Sequence, residues 1–405
     1  MNTPILSVCI PTFNRSAFLD RLLRRLADEL PRLPIEVELI VSDNASSDDT
    51  PAVCTRAAME MGERFQFFRQ DKNVGSSKNL QFAISKARAD YFVYLADDDI
   101  LLWEPLLDAL KALQSNKAAV GLYAPWCIVD LTRNKITGQF YHHPETVTYS
   151  SVSRAGHAHF IIKHHVFSEI GIFRTNVWRF IIPAVSDVAY WAFTIPAELL
   201  AFGELIYYRT PFYGSVSHHP GLPARSQQGV EETMIGWDRY RGGVEHLIGL
   251  ARESLDGEEV KELQNMAETM VVGRMLVAIR LRVSQGKNPL ETYFLASRVR
   301  SYGYADKLPV PFQTIKIQAA ISHLTEHVAE VLGATELVLL GYSSDEERMI
   351  VRLSAVPVRC FDIMRGLRRD QLVLIKAPSD TKGLGRNLST AGYTIFEGSL
   401  LAKFP

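Results

Sequence analysis

Cysteine is scarce in this sequence. Four residues (Cys9, Cys54, Cys127, Cys360) are scattered over 405, with no C-x-x-C pair and no His-rich zinc spacing. That excludes a disulfide scaffold and a zinc ribbon. Cys9, in an apolar strand, and Cys54, on an apolar helix face, read instead as buried thiols that pack as small hydrophobes. No apolar run reaches the ~18 residues of a membrane span; the most apolar region, Ile181 to Tyr208, is broken by Asp187, Glu198 and Glu204. Met1 to Pro4 is too short for a signal peptide before strand-like sequence begins. A reducing cytoplasm is the expected setting, and a position at the inner face of the cell membrane is compatible with it. Charge of one sign is not in excess either. Lys and Arg number 44 against 45 Asp and Glu, a net charge of −1, which excludes a nucleic-acid-coating protein. There is no internal repeat and no G-x-G-x-x-G; "KGLGRN" (Lys382–Asn387) has neither the spacing nor the preceding strand to replace it.

What is present is a globular composition, 47% hydrophobic and 22% charged, on a chain long enough for two or three domains. "ILSVCI" (Ile5–Ile10), "VELIV" (Val37–Val41), "FQFF" (Phe65–Phe68) and "YFVYL" (Tyr91–Leu95) read as strands. Between them the apolar spacing is helical: Leu19, Leu22, Leu23, Leu26 and Leu30 after a Ser16 cap, then Val53, Cys54, Ala57, Ala58 and Met61 after an Asp48 or Asp49 cap with Pro51 in the first turn. Leu80, Ala83, Ile84 and Ala87, and then Leu106, Leu107, Leu110 and Leu113 behind Pro105, mark two more helices. This order favours an α/β fold, a doubly wound, mainly parallel sheet covered by helices. A donor half over 1–125 and a second half over 126–220 would form one domain. A helical region over 221–333 follows, and a small C-terminal α/β module over 334–405, in which "TELVLLGY" and "QLVLIKAP" look like buried strands.

Ligands of doubly wound sheets sit at the carboxyl ends of the strands. Thr12–Arg15, Asp43–Ser47, the loop around Asn73–Lys78 and Asp97–Asp99 would converge there. The last of these is the most demanding, because three consecutive aspartates repel one another unless water, a cation or a cationic group offsets them.

With "IPTFNR" (Ile10–Arg15), "VSDNASSDDT" (Val41–Thr50), "NVGSSKNL" (Asn73–Leu80) and "LADDDIL" in this order, the chain resembles the family 2 glycosyltransferases of the GT-A fold. The resemblance is strong over about the first 130 residues and weak to about residue 220. It implies a nucleotide-diphosphate sugar donor, UDP or dTDP being favoured, and Mn²⁺ or Mg²⁺ bridging the diphosphate to aspartates. Pro11, Thr12, Phe13 and Arg15 would line the donor site. Asp43 would meet the base, although it also suits an Asx-turn, and Asn44 would join the donor site. Lys78 would lie near the diphosphate or stand as a solvated helix lysine. Family members often read D-x-D-D where this chain has Ala96 first, so Asp98 falls at the metal position. Asp97 then contacts ribose and Asp99 supports the metal. "SDVAYWAF" (Ser186–Phe193) resembles the segment carrying the catalytic base, which makes Asp187 the candidate base or a helix N-cap. "YYRTPFYGSVSHH" (Tyr207–His219) resembles a loop that folds back over the donor, with His218, the preferred candidate, or His219 as a further metal ligand. Trp178, Trp191 and Tyr213 suit sugar stacking or core packing.

The activity so implied is inverting, metal-dependent transfer of a sugar to a saccharide or lipid-linked saccharide, as in bacterial O-antigen, capsule or other cell-surface polysaccharide synthesis. Peripheral membrane association and a homo-oligomer through the C-terminal region are compatible with it. A non-catalytic scaffold on a degenerate domain and a sugar nucleotidyltransferase are the alternatives. The second lacks a Gly-rich triphosphate loop after the first strand.

Overall fold

Buried strands and amphipathic helices alternate from the start of the chain. In a computed structural model, residues 4–181, 186–222, 228–377, 379 and 393–404 are described. The chain divides into two compact units, 1–228 with 238–271 and 229–237 with 272–405. The helical region 221–333 is thus shared between two units in this division.

In the first unit, β1 (Leu6–Thr12), β2 (Val37–Asp43), β3 (Phe65–Arg69) and β4 (Tyr91–Tyr94) alternate with α1 (Ser16–Glu29), α2 (Thr50–Met61) and α3 (Ser76–Ser85). Short β5 (Ile100–Leu101), α4 (Trp103–Ser115), β6 (Ala119–Tyr123), β7 (Trp126–Asp130), β8 (Lys135–Gln139) and β9 (Val147–Tyr149) come next. They are followed by α5 (Arg154–Lys163), β10 (Gly171–Arg174), α6 (Thr175–Ile181), α7 (Trp191–Leu199), β11 (Glu204–Tyr207) and β12 (Tyr213–His218). The main sheet runs β3-β2-β1-β4-β10-β6-β11-β9. Its first four strands are parallel, whereas β10 is antiparallel to both β4 and β6. A second sheet runs β5-β12-β7-β8. The fold class is therefore the expected α/β one. β1 and β2 are buried along nearly their whole length, as parallel strands covered on both faces must be.

Two local expectations change. Ser16 begins α1 but makes no side-chain cap; its amide donates instead to Asp48 Oδ2 at 2.9 Å. Asp48 Oδ1 also accepts from the Thr50 amide and hydroxyl. One carboxylate thus serves the first turns of two helices, because the loops carrying them meet at the sheet edge. In α3 the inward position goes to Asn79 and Leu80 is only half-buried. Asn79 can be buried because Ser42 at the end of β2 satisfies it, donating from Oγ at 2.6 Å and accepting through its carbonyl at 2.8 Å.

His157 of α5 is also buried, its Nε2 2.7 Å from the Tyr207 hydroxyl. Burial disfavours the imidazolium and pushes its pKa down to about 3. A depressed folded-state pKa means that the unfolded chain binds the extra proton. The stabilisation is complete above about pH 6.5 and is lost progressively as pH falls from there toward 3. We expect His157→Gln to remove up to ~1.4 kcal/mol per pH unit of acid sensitivity in that window, read as the change in slope of the urea midpoint against pH.

In the second unit, helices Pro289–Ser301 and Phe312–His323 precede a four-stranded parallel sheet. Its strands are β13 (Glu336–Leu340), β14 (Val358–Cys360), β15 (Gln371–Ile375) and β16 (Tyr393–Phe396), in the order β14-β13-β15-β16. Alternation along β13 and β15 sends Leu337, Leu339, Leu372 and Leu374 to one face and Val338, Val373 and Ile375 to the other. Both predicted strands are thus present, and "KGLGRN" lies outside the described residues. Among the described residues no helix is long and apolar enough to cross a membrane.

Candidate active site

The turn after β4 carries Asp97, Asp98 and Asp99, all buried, at 4, 2 and 6% exposure. Their compensation is asymmetric. Thr12, at the end of β1, donates from Oγ1 to Asp97 Oδ2 at 2.7 Å. Arg15 Nη1 donates to Asp98 Oδ2 at 2.6 Å and to Asp97 Oδ1 at 3.2 Å. The cationic group that the aspartate run requires is therefore Arg15. Burial still dominates at Asp97 and, together with the Asp98 charge, pushes its pKa up to about 6 in spite of Arg15 and Thr12. Burial also opposes the Arg15 charge, but the two carboxylates outweigh it and hold its pKa above the ordinary value.

Asp99 is placed differently. Its Oδ2 accepts from the Tyr213 hydroxyl and its Oδ1 from the Val216 amide, both at 2.8 Å. The Ala96 amide donates to the same Tyr213 hydroxyl at 3.0 Å. Both carboxylate oxygens of Asp99 are thus engaged by β12, which makes this residue the anchor of the turn and leaves Asp97 and Asp98 as the pair facing Arg15. Tyr213, read as a stacking or core residue, is buried and also clasps the turn through its hydroxyl. Ala96 contributes a backbone group to the same clasp.

The loop after β2 forms the neighbouring wall, since Thr12 and Asp43 are register partners. Asp43 is fully buried. Its Oδ1 accepts from the Ser46 amide at 2.9 Å, a local turn that closes one residue later than an Asx-turn does. Its Oδ2 accepts no hydrogen bond among the described residues, and Arg69 Nε lies 3.4 Å away. Glu38, the other buried carboxylate of β2, has both oxygens bonded, to Ser7, Arg88 and Gln66 among others. An unsatisfied buried acceptor is costly, and of these two β2 carboxylates it is Asp43, at the carboxyl edge, that carries one. The loops are braced on one another. Asn44 donates to Asn73 Oδ1 and accepts from the Val74 amide, while Asn14 accepts from the Ser47 amide. Asn14 and Ala45 hold positive φ, +52° and +64°, a conformation uncommon for residues with a side chain. Phe13 is 40% exposed beside them, Pro11 is half-buried, and Lys78 is exposed in the first turn of α3.

His218 is exposed, its Nδ1 3.1 Å from Ser217 Oγ and 3.8 Å from Asp130 Oδ2. His219 sets its ring edgewise on Phe18, centroids 5.1 Å apart, and Phe18 in turn lies under the Arg15 guanidinium at 5.7 Å. Contacts therefore lead from His219 toward the aspartates, whereas His218 faces Asp130. Asp187 is exposed and four residues short of α7, whose N-cap position is Tyr190; it caps no helix. Trp178 is a core residue packed on Phe92 and Phe173. Trp191 lies against Tyr190.

Sequence reasoning missed two contributors. Arg69 ends β3 with no motif around it. Gly242, in helix Trp237–Ala251, lies so close to the Asp187 segment that a Cβ there would sit 1.9 Å from the Val188 carbonyl oxygen; only a glycine-sized residue lets the two backbones meet.

Among the described residues no group of three or more His, Cys, Asp or Glu is placed to hold a metal ion. Mg²⁺ and its analogues are commonly held by one or two carboxylates plus substrate phosphates. The hard oxygen donors of Asp97 and Asp98 fit that mode.

Residues 7–174 match the family model described as glycosyl transferase family 2. This segment is a family 2 glycosyltransferase domain. Among curated relatives of the domain, a GalNAc(5)-diNAcBac-PP-undecaprenol beta-1,3-glucosyltransferase of Campylobacter jejuni is 32% identical over 99 residues, 24% of this chain and 31% of that protein. Abequosyltransferase RfbV of Salmonella typhimurium is 30% identical over 111 residues, 27% of this chain and 32% of that protein. The match spans about a third of the length of these relatives. Among solved structures, S. aureus TarS in complex with UDP-GlcNAc aligns over 77% of this chain and 90% of that one, with a TM-score of 0.45 and 16% identity. The family 2 domain covers β1 to β10, and so includes all four loops of the parallel edge.

Proposed function

We propose that the protein is an inverting, metal-dependent glycosyltransferase that moves a sugar from a nucleotide diphosphate to a saccharide hydroxyl. The observation that carries this reading is the buried Asp97–Asp98 pair, set in a family 2 domain beside the unsatisfied Oδ2 of Asp43. Asp43 would accept an N–H from the base, which favours uracil or thymine and hence a UDP- or dTDP-sugar. Thr12, Phe13 and Asn44 would line the same pocket, and Lys78 would reach the diphosphate. Asp97 and Asp98 would hold a Mn²⁺ or Mg²⁺ ion, and His219, whose ring meets Phe18 below Arg15, would join them. Such an ion supplies Lewis-acid stabilisation of the departing nucleotide diphosphate.

Asp187 would take the proton of the acceptor hydroxyl. The freed oxygen attacks the anomeric carbon from the face opposite the diphosphate, the new C–O bond forms as the old one breaks, and the configuration inverts. No covalent enzyme intermediate is needed. The name of one curated relative gives a lipid-linked saccharide acceptor. With the motif resemblance, this supports a saccharide or lipid-linked saccharide acceptor here and a role in cell-surface polysaccharide assembly, which would take place in the cytoplasm at the inner face of the membrane.

The test is a thermal-shift screen of UDP, dTDP, GDP and their sugars with and without Mn²⁺, since a ligand stabilises the folded state that it binds. UDP or dTDP with Mn²⁺ is expected to raise Tm by several degrees. No response to any nucleotide would overturn the reading.

A further inference from the structure

Resting on that reading, we infer that Arg15 is a built-in counter-ion that competes with the divalent cation for Asp97 and Asp98. Cation and donor diphosphate would then enter the site together rather than one after the other. The geometry is specific. A single guanidinium nitrogen, Nη1, bridges the two carboxylates at 2.6 and 3.2 Å, and it is donated from the loop after β1, outside the turn it neutralises. Asp98 is 2% exposed at its side chain and Arg15 28%, so the positive charge is the member of the cluster that can leave toward solvent.

Competition for the same oxygens shows why it would leave. Asp97 and Asp98 offer the oxygens that Arg15 already holds. Adding a divalent cation with Arg15 in place sets two cations against them, which is repulsive at close range. Replacing Arg15 by the cation strands a guanidinium. A nucleotide diphosphate resolves both problems, because it supplies oxygens to the cation and a planar anionic partner to the guanidinium. Arg15 thereby makes the site poor for free metal and good for the metal–diphosphate pair. Its position over Phe18, which contacts His219, also couples its departure to the segment following β12.

The test measures Mn²⁺ binding to the full chain by electron paramagnetic resonance in the absence of any nucleotide. Arg15→Met is expected to bind Mn²⁺ at least tenfold tighter than the unaltered protein, and Mn²⁺ alone should raise its Tm where it barely moves that of the unaltered protein. Arg15→Lys, which keeps a cation, should stay weak. Should the Met variant fail to fold, Arg15→Gln, which retains an N–H for Asp98, takes its place with the same expected direction. Equal Mn²⁺ affinity in the neutral variant and the unaltered protein overturns the inference. That result is distinct from failure of the underlying reading, which would show as no stabilisation of the unaltered protein by UDP or dTDP with Mn²⁺.

Discussion

Asp98→Asn is expected to lower the rate of sugar transfer at least a thousandfold, about 4 kcal/mol of transition-state stabilisation, without unfolding the protein. Asn has nearly the shape of Asp but accepts through one oxygen only and carries no charge, so it cannot balance a divalent cation while a diphosphate leaves. The fold should tolerate the change for a reason visible in the cluster. Burial and the Asp98 charge raise the Asp97 pKa to about 6, so removing one of two adjacent buried charges relieves repulsion. Tm without ligand is therefore expected to hold or rise, while the Tm increase produced by UDP or dTDP with Mn²⁺ should vanish. Asp99→Asn is a useful contrast. Its oxygens serve Tyr213 and Val216 of β12, so the loss there should be structural: a lower Tm with a smaller loss of rate. Near-normal turnover by Asp98→Asn, measured as release of nucleotide diphosphate, would remove this residue from the chemistry.

The contrast between these aspartates also shows what the sequence made legible. Strand runs and helical spacing give β1 to β4 and their helices within a few residues, because burial on both faces of a parallel sheet leaves near-continuous apolar runs. The convergence of loops follows from that topology, and the aspartate run announces its own need for a cation. What the sequence hides is long-range pairing. Nothing local tells that Asp48 caps a helix 32 residues earlier, that Tyr213 clasps a turn 114 residues before it, or that Arg15 is the cationic group set against Asp97 and Asp98. Asp43 shows the mixed case. Its turn-forming role is local and readable, whereas its unsatisfied second oxygen appears only once the surrounding loops are packed. Sequence reading sets His218 slightly ahead of His219, whereas the ring contact that leads toward Arg15 belongs to His219, a direction that emerges only with β12 in place.

Asp187→Asn is expected to lower kcat by about a hundredfold to ten-thousandfold, the range that a positioned general base contributes, with donor binding unchanged. The two readings open at this residue, helix cap and base, make different demands on structure. A cap lies directly at the helix start and gives its oxygen to an amide of the first turn. Asp187 does neither: it is exposed, α7 begins at Trp191, and the turn around it is closed by Ser186 Oγ accepting from the Val188 amide at 3.1 Å. Capping therefore asks nothing of its carboxylate, and Asp187→Asn should leave Tm within measurement error. The segment is nevertheless fixed in place. The Tyr190 amide donates to the Arg239 carbonyl at 2.8 Å, and the Val188 carbonyl sits against Gly242 with no room for a Cβ. If Asp187 is the base, Gly242→Ala, which cannot fit without moving that backbone, should reproduce much of the loss in kcat while leaving the nucleotide-dependent Tm shift intact. An Asp187→Asn protein that keeps full kcat would sink the assignment. A loss seen only in KM for the acceptor would make the residue a binding group instead of the base.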